Sequence, residues 1–299
     1  MATSQRSTSG DMDGKVVLIT GANTGIGLVT ARELCQRGAQ VFIACRSVGM
    51  GEVALATIRA AVPGAQVALL PLDLGDFDSV QSCAERFLAH NLPLHVLINN
   101  AGLAGSKGLT QSGFELAFGT NHMGHFLLTQ LLLECIKKSG TANAPARIVT
   151  VASRAHYRVK LPTGSFDWAA LQQPTAGGTA ITEYGVSKLA NVLFSAELAR
   201  RLQGSFVNTY ALHPGVVASD VWRSVPWPLR PLFKHWMLTV EEGAVTTLHC
   251  ATAPALAGQT GLYYDQCQVK TPSALAQSSQ LAQALWQHSE AWVEALRHS

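Results

Sequence analysis

The sequence predicts an α/β protein: one doubly wound domain around a central, mostly parallel sheet of seven strands. Short apolar, β-branched runs alternate with longer stretches of helical periodicity, which is how successive βαβ units read. No composition shift, internal repeat or low-complexity linker divides the chain. Of its 299 residues, 47% are apolar and 14% charged, enough apolar side chains for one large packed core.

Lys15–Thr20 is the first expected strand and Ile26–Arg37 the helix after it. Gln40–Cys45 follows as the second strand, with a helix near Glu52–Ala61. Gln66–Leu70, His95–Asn99, Arg147–Ala152 and Val207–Leu212 have the β-branched, apolar character of buried strands. Thr182–Leu202 reads as a strong helix with Leu189, Val192, Leu193, Ala196 and Ala199 on one face. Gly261–Tyr264 supplies the seventh strand, and a polar helix ends the chain.

Composition narrows the function. The net charge of +3 is spread along the chain and not gathered into a basic block, so nucleic acid is not expected as a partner. The six cysteines contain no C-x-x-C pair and sit mostly in apolar runs, which reads as reduced core thiols. Residues 1–13 are small and polar and read as a disordered lead, with the domain proper spanning 14–299. No apolar segment there has the form of a signal peptide. The apolar run Phe126–Ile136 is too short to span a bilayer and is broken by Gln130 and Glu134. A soluble, cytoplasmic protein is the expectation.

After the first strand comes Thr20-Gly21-Ala22-Asn23-Thr24-Gly25-Ile26-Gly27, and then a helix. Glycines here let the backbone approach a dinucleotide pyrophosphate, whose charge then sits at the helix N-terminus. Gly21, Asn23, Thr24, Gly25, Ile26 and Gly27 are therefore candidate cofactor contacts in a Rossmann arrangement. An enzyme using NAD commonly ends its second strand with an acid for the adenosine ribose. This chain has Ala44-Cys45-Arg46-Ser47 instead. The planar fork of Arg46 suits a 2′-phosphate, so NADP(H) is the predicted cofactor.

With these segments in view, the chain resembles the short-chain dehydrogenases/reductases from Gly14 to about Leu262, and particularly their retinol dehydrogenase branch. The resemblance is carried by TGANTGIG, ACRS, LDL at 72–74, NNAG at 99–102, NHMGHF at 121–126, TVASRAH at 150–156, YGVSKLANVLF at 184–194 and HPGVVAS at 213–219. It implies hydride transfer between nicotinamide and a carbonyl or alcohol, with Asn121, Ser153, Tyr184 and Lys188 as the catalytic set.

Tyr184 and Lys188 stand i, i+4 near a helix start, which puts phenol and ammonium on one face. A free phenol has a pKa of about 10, and the lysine charge is expected to favour the phenolate. By resemblance Ser153 orients the reacting oxygen, Asn121 holds a water that links Lys188 to solvent, and Lys188 also meets the nicotinamide ribose. Asp73 and Leu74 are implied at the adenine, although Asp73 could instead cap the next helix, in competition with Asp76. Asn99, Ala101 and Gly102 end a strand at the edge where such folds bind ligands, with Asn99 set toward the adenosine ribose. Pro214, Gly215, Val217 and Ser219 are implied over the nicotinamide. His122 and His125 lack a companion ligand set, so no metal is expected.

Two segments remain for the substrate. Residues 154–182 form an insertion between Ser153 and Tyr184, read as a flap beside the site. Residues 221–238 carry Trp222, Trp227 and Phe233 and read as an apolar lid. The resemblance implies a lipophilic aldehyde or ketone such as a retinoid, with a broad-specificity soluble carbonyl reductase as the alternative and a non-catalytic NADP-binding sensor as the reading after it. The lid's tryptophans and basic residues also suit a peripheral membrane contact, and a monomer or a homodimer is open.

Overall fold

The computed structural model describes residues 11–176, 178–216 and 238–297. Its strands are β1 (Val16–Thr20), β2 (Gln40–Cys45), β3 (Val67–Pro71), β4 (Val96–Asn99), β5 (Ala146–Val151), β6 (Val207–His213), β7 (Leu262–Asp265) and β8 (Gln268–Val269). They form one sheet in the order β3-β2-β1-β4-β5-β6-β7-β8. The seven expected strands pair in parallel, and the short β8 adds an antiparallel edge that the sequence reading does not include.

Both faces of the sheet are covered. Side chains alternate along a strand, so one strand feeds two cores. In β1, Val16 and Leu18 enter one core while Val17 and Ile19 enter the other. Helices α1 (Gly25–Gln36) and α2 (Val48–Ala61) cover the second face, joined by a later helix, Val240–Thr252. Helices α3 (Phe77–Leu88), α5 (Gly124–Ser139), α6 (Ile181–Arg201) and the C-terminal Ser279–Arg297 cover the first. A short turn α4 (Leu116–Phe118) and a π-helical turn, Gly119–Met123, lead into α5. The helices at 240–252 and 279–297 are α7 and α8.

Some boundaries differ from expectation for identifiable reasons. Helix α2 starts at Val48, not near Glu52, because the Ser47 hydroxyl accepts from the Met50 amide and caps it. Gly49 and Gly51 obscure that start in the sequence; a Cβ on Gly51 would lie 2.6 Å from a Leu69 methyl, so the helix packs closely on β3 there. Helix α6 is buried on nearly all sides and not on one face, since α8 lies against it with Phe194 and Trp286 rings stacked at 5.9 Å. Met12, placed in the lead by the sequence, is buried, and its amide donates to the Arg37 carbonyl.

The insertion at 154–182 packs down onto the domain. Phe166 and Leu171 are buried, and the Glu115 amide donates to the Leu171 carbonyl. The buried Glu115 carboxylate accepts from the Phe118 amide at 2.8 Å and from the Thr175 hydroxyl. One carboxylate thus caps α4 and fastens the insertion. Among the described residues, no helix is long and apolar enough to cross a membrane.

Candidate active site

The chain reverses direction across the sheet between β1 and β4, and ligands of such folds bind beyond the strand ends at that switch point. Two loops meet there. Gly21 has φ +66°, and a Cβ on it would lie 2.8 Å from the Ala101 Cα. A Cβ on Gly27 would strike the Asn100 side chain and the Gly21 carbonyl, both at 2.6 Å. These two glycines are needed for packing. Gly25, with φ +58°, faces open space. The helix that starts there has no side-chain cap and no acidic residue in its first turn. Its first amides are therefore available to an anion, which is the condition for seating a pyrophosphate. Asn23, Thr24 and Ile26 are partly exposed around this opening.

Beyond the end of β2, the Arg46 side chain is 79% exposed, with the Asp73 carboxylate at 4.0 Å. Asp73 accepts from the Gly75 amide at 2.9 Å, while Asp76 is the residue that caps α3. The competition between these two aspartates for the cap is thereby resolved. Leu74 is buried, and its carbonyl lies so near Gly124 that a Cβ there would clash at 2.2 Å.

Tyr184 lies in the first turn of α6, and its phenol hydrogen-bonds the Ser153 hydroxyl. Ser153 stands two residues past the end of β5 and caps the next turn by accepting from the Ala155 amide at 3.2 Å. One helical turn beyond Tyr184, the Lys188 ammonium is buried 5.7 Å from the Tyr184 ring centroid and donates to the Val151 carbonyl at 2.8 Å. A Cβ on Gly102 would lie 3.2 Å from Lys188 Nζ and 3.4 Å from Asn121 Oδ1, so these three positions converge. The Asn121 side chain accepts from the Leu103 amide at 2.9 Å and donates to the Leu103 carbonyl and to Ser187. Tyr184, Ser153, Lys188 and Asn121 are thus brought together as the sequence predicts.

Two expectations change. Burial raises the Tyr184 phenol above its ordinary range, with the Ser153 hydrogen bond opposing, so the lysine does not lower it here. Lys188 points its charge at a backbone carbonyl, and burial pushes the ammonium down to about 8. The Asn99 side chain is fully buried and donates to Thr129 on α5, so at the strand-end edge Asn99 presents its main chain and not its side chain. Pro214 and Gly215 follow β6 at the same sheet edge. Val217, Ser219, Trp222, Trp227 and Phe233 lie outside the described residues. The amide of Leu238 donates to the Val216 carbonyl at 2.9 Å.

A cavity of about 490 Å³ lies elsewhere, between α6 and the β7–β8 edge, and contains none of these residues. The glycine loop and the convergent Tyr-Lys-Ser-Asn set decide which site carries the chemistry. The profile described as short chain dehydrogenase matches residues 15–165. The chain belongs to the short-chain dehydrogenase/reductase family.

This member is accordingly an oxidoreductase acting on CH–OH and C=O groups. It is 48% identical over 282 residues to retinol dehydrogenase 12 of Homo sapiens, covering 93% of this chain and 86% of that protein. Retinol dehydrogenase 11 of Homo sapiens is 45% identical, with 92% and 84% covered. A crystal structure of an uncharacterised protein from Mycobacterium Paratuberculosis superposes with a TM-score of 0.72 at 33% identity, covering 94% of each chain.

Sequence reasoning passed over several residues of this dehydrogenase's site. His156 donates through Nδ1 to the Ser153 carbonyl at 2.6 Å and accepts from the Ser273 amide, which ties the Ser153 loop to the segment after β8. Ser187 bridges Asn121 to the Tyr184 carbonyl. Thr20 and His125 form a buried pair. Each lies inside a quoted motif, but motif membership alone did not assign a partner.

Proposed function

We propose that this enzyme interconverts a lipophilic aldehyde or ketone and its alcohol with NADP(H). The convergence of Tyr184, Ser153 and Lys188 beside an uncapped, glycine-opened helix N-terminus carries this reading. Reducing a carbonyl requires a hydride at carbon and a proton at oxygen. A nicotinamide dinucleotide, when bound, supplies the hydride. Tyr184 gives the proton from its hydroxyl to the carbonyl oxygen, and its raised pKa suits an acid that stays protonated at neutral pH. Ser153 donates a hydrogen bond to the same oxygen and fixes its position. Lys188, one helical turn beyond Tyr184 and largely charged below its pKa of about 8, would hold the nicotinamide ribose. In the oxidation direction these proton movements run in reverse.

Gly21, Gly25, Gly27 and the first amides of α1 would hold the pyrophosphate. The main chain of 99–102, with Pro214 and Gly215, would line the rest of the dinucleotide. The exposed Arg46 fork favours the 2′-phosphate of NADP(H). Arg46→Ala is expected to weaken NADPH by about 1.5–3 kcal/mol, the range for a hydrogen bond to a charged group. NADH binding should hardly change, and equal losses for both by titration calorimetry would remove Arg46 from phosphate recognition.

The substrate class rests on the retinol dehydrogenase relatives and on the apolar Trp222, Trp227 and Phe233 in the sequence after β6. NADPH consumption measured over retinals, long-chain aldehydes and small ketones should give the highest kcat/KM for the long apolar carbonyls. A flat profile would favour a broad-specificity carbonyl reductase.

A further inference from the structure

The first turn of α5 is joined to the end of β1 through a buried imidazole. His125 Nε2 lies 2.8 Å from the Thr20 hydroxyl, and its Nδ1 lies 2.9 Å from the Asn121 carbonyl. All three residues are at most 1% exposed.

The direction of each hydrogen bond follows from counting. The Thr20 hydroxyl accepts from the Asn100 amide at 2.9 Å and from the Ala101 amide at 3.0 Å. Both lone pairs are then used, and one proton is left to give. The Ile98 carbonyl is distant at 3.5 Å, whereas His125 Nε2 is at 2.8 Å. Nε2 is therefore the bare nitrogen and takes that proton. The Asn121 carbonyl can only accept, so Nδ1 carries the hydrogen and donates. The imidazole is neutral in this arrangement, and burial, which pushes its pKa down to about 4, agrees.

The chain of bonds has two ends with different duties. At one end, Thr20 holds the two amides that bring the 99–102 loop against Gly21. At the other, Asn121 anchors Leu103 and Ser187, and stands beside Lys188. Asn121 lies in the π-helical turn Gly119–Met123, and the His125 imidazole one turn later donates to its carbonyl.

We propose that His125 is a positioning residue that couples the dinucleotide loop to the catalytic Asn121–Lys188 side of the site, acting as a neutral Nδ1–H imidazole between Thr20 and Asn121. The proposal rests on the reading that a dinucleotide occupies the glycine loop. It makes His125 responsible for cofactor affinity through Thr20 and for turnover through Asn121.

Two variants separate these duties. His125→Asn keeps a donor near the Nδ1 position and loses the Thr20 bond; His125→Phe loses both. In protein without cofactor, ¹⁵N spectra at pH 7 should show His125 as the Nδ1–H tautomer. Amide exchange at Asn100 and Ala101 should accelerate at least fivefold in His125→Asn. These readouts do not depend on any ligand, so they hold or fail apart from the NADP(H) assignment. With NADPH, His125→Asn should raise Kd about 5- to 20-fold with kcat within threefold of wild type. His125→Phe should also lower kcat by at least tenfold. In a Thr20→Val background, His125→Asn should add nothing further to Kd. An Nε2–H tautomer or a charged ring, unchanged exchange, or additive losses with Thr20→Val would overturn the proposal. If His125→Phe fails to fold, the Asn variant and the tautomer decide alone.

Discussion

Tyr184→Phe is expected to lower kcat by at least 100-fold while NADPH binds within about twofold of wild type, since loss of a general acid costs roughly 10²–10⁴ in rate. The substitution removes one oxygen from a side chain in the first turn of α6 and leaves its ring in place. That oxygen holds the Ser153 hydroxyl in the free protein. Burial keeps it protonated, so the acid form is ready for carbonyl reduction at neutral pH. The same shift gives the two directions different pH profiles. Reduction should hold steady across pH 6–10, because the phenol ionises only above its ordinary range of about 10. Alcohol oxidation, which needs the phenolate as base, should rise with pH. Steady-state rates in both directions across pH 6–10 would check this. A Phe variant retaining more than about a tenth of wild-type kcat would remove Tyr184 from the role of proton donor.

The parallel strands were legible because a doubly covered sheet leaves nearly continuous β-branched runs, as in Val16–Thr20 and Ala146–Val151. Helix α3 was expected only as an unbounded helix after Asp73 or Asp76, and α7 was not identified. The buried Phe77, Val80, Cys83, Ala84 and Phe87 of α3 recur at helical spacing, so its apolar face was present in the sequence and was passed over. The pairing of Tyr184 with Lys188 was readable from their spacing, and Ser153 and Asn121 entered through the family resemblance, but orientation was not readable. Asn99 sits two residues beyond Leu97, hence on the face that α5 covers, and strand alternation alone sends its side chain away from the cofactor edge. Likewise, Thr20 follows Leu18 onto that face and so reaches His125. The balance between burial and charge at Tyr184 depends on where the Lys188 ammonium points, and a spacing of four residues does not reveal the Val151 carbonyl that captures it.

Lys188→Met should separate activity from stability. Lys188 is 3% exposed, and burial pushes its ammonium from the ordinary 10.5 down to about 8. The folded protein therefore sheds this proton more readily than the unfolded chain. Between about pH 8 and 10.5 the unfolded chain binds more protons, so this residue's contribution to stability improves as pH rises. Below about pH 8 the full penalty for burying the charge is present, on the order of 3 kcal/mol at ~1.4 kcal/mol per pH unit. Methionine keeps the apolar stem and carries no charge. The Val151 carbonyl retains a donor, because the Asn191 side chain also reaches it at 3.3 Å. The loss of one hydrogen bond costs about 1 kcal/mol, so a net gain of roughly 1–2 kcal/mol remains at pH 7. Thermal unfolding of cofactor-free protein should show Tm several degrees above wild type at pH 7, with the difference shrinking toward pH 10. Turnover of the same variant should fall by at least 100-fold, and NADPH should bind more weakly. A Met variant less stable than wild type at pH 7 would mean that the ammonium's bond to Val151 outweighs its desolvation, and that Lys188 holds the fold as well as the site.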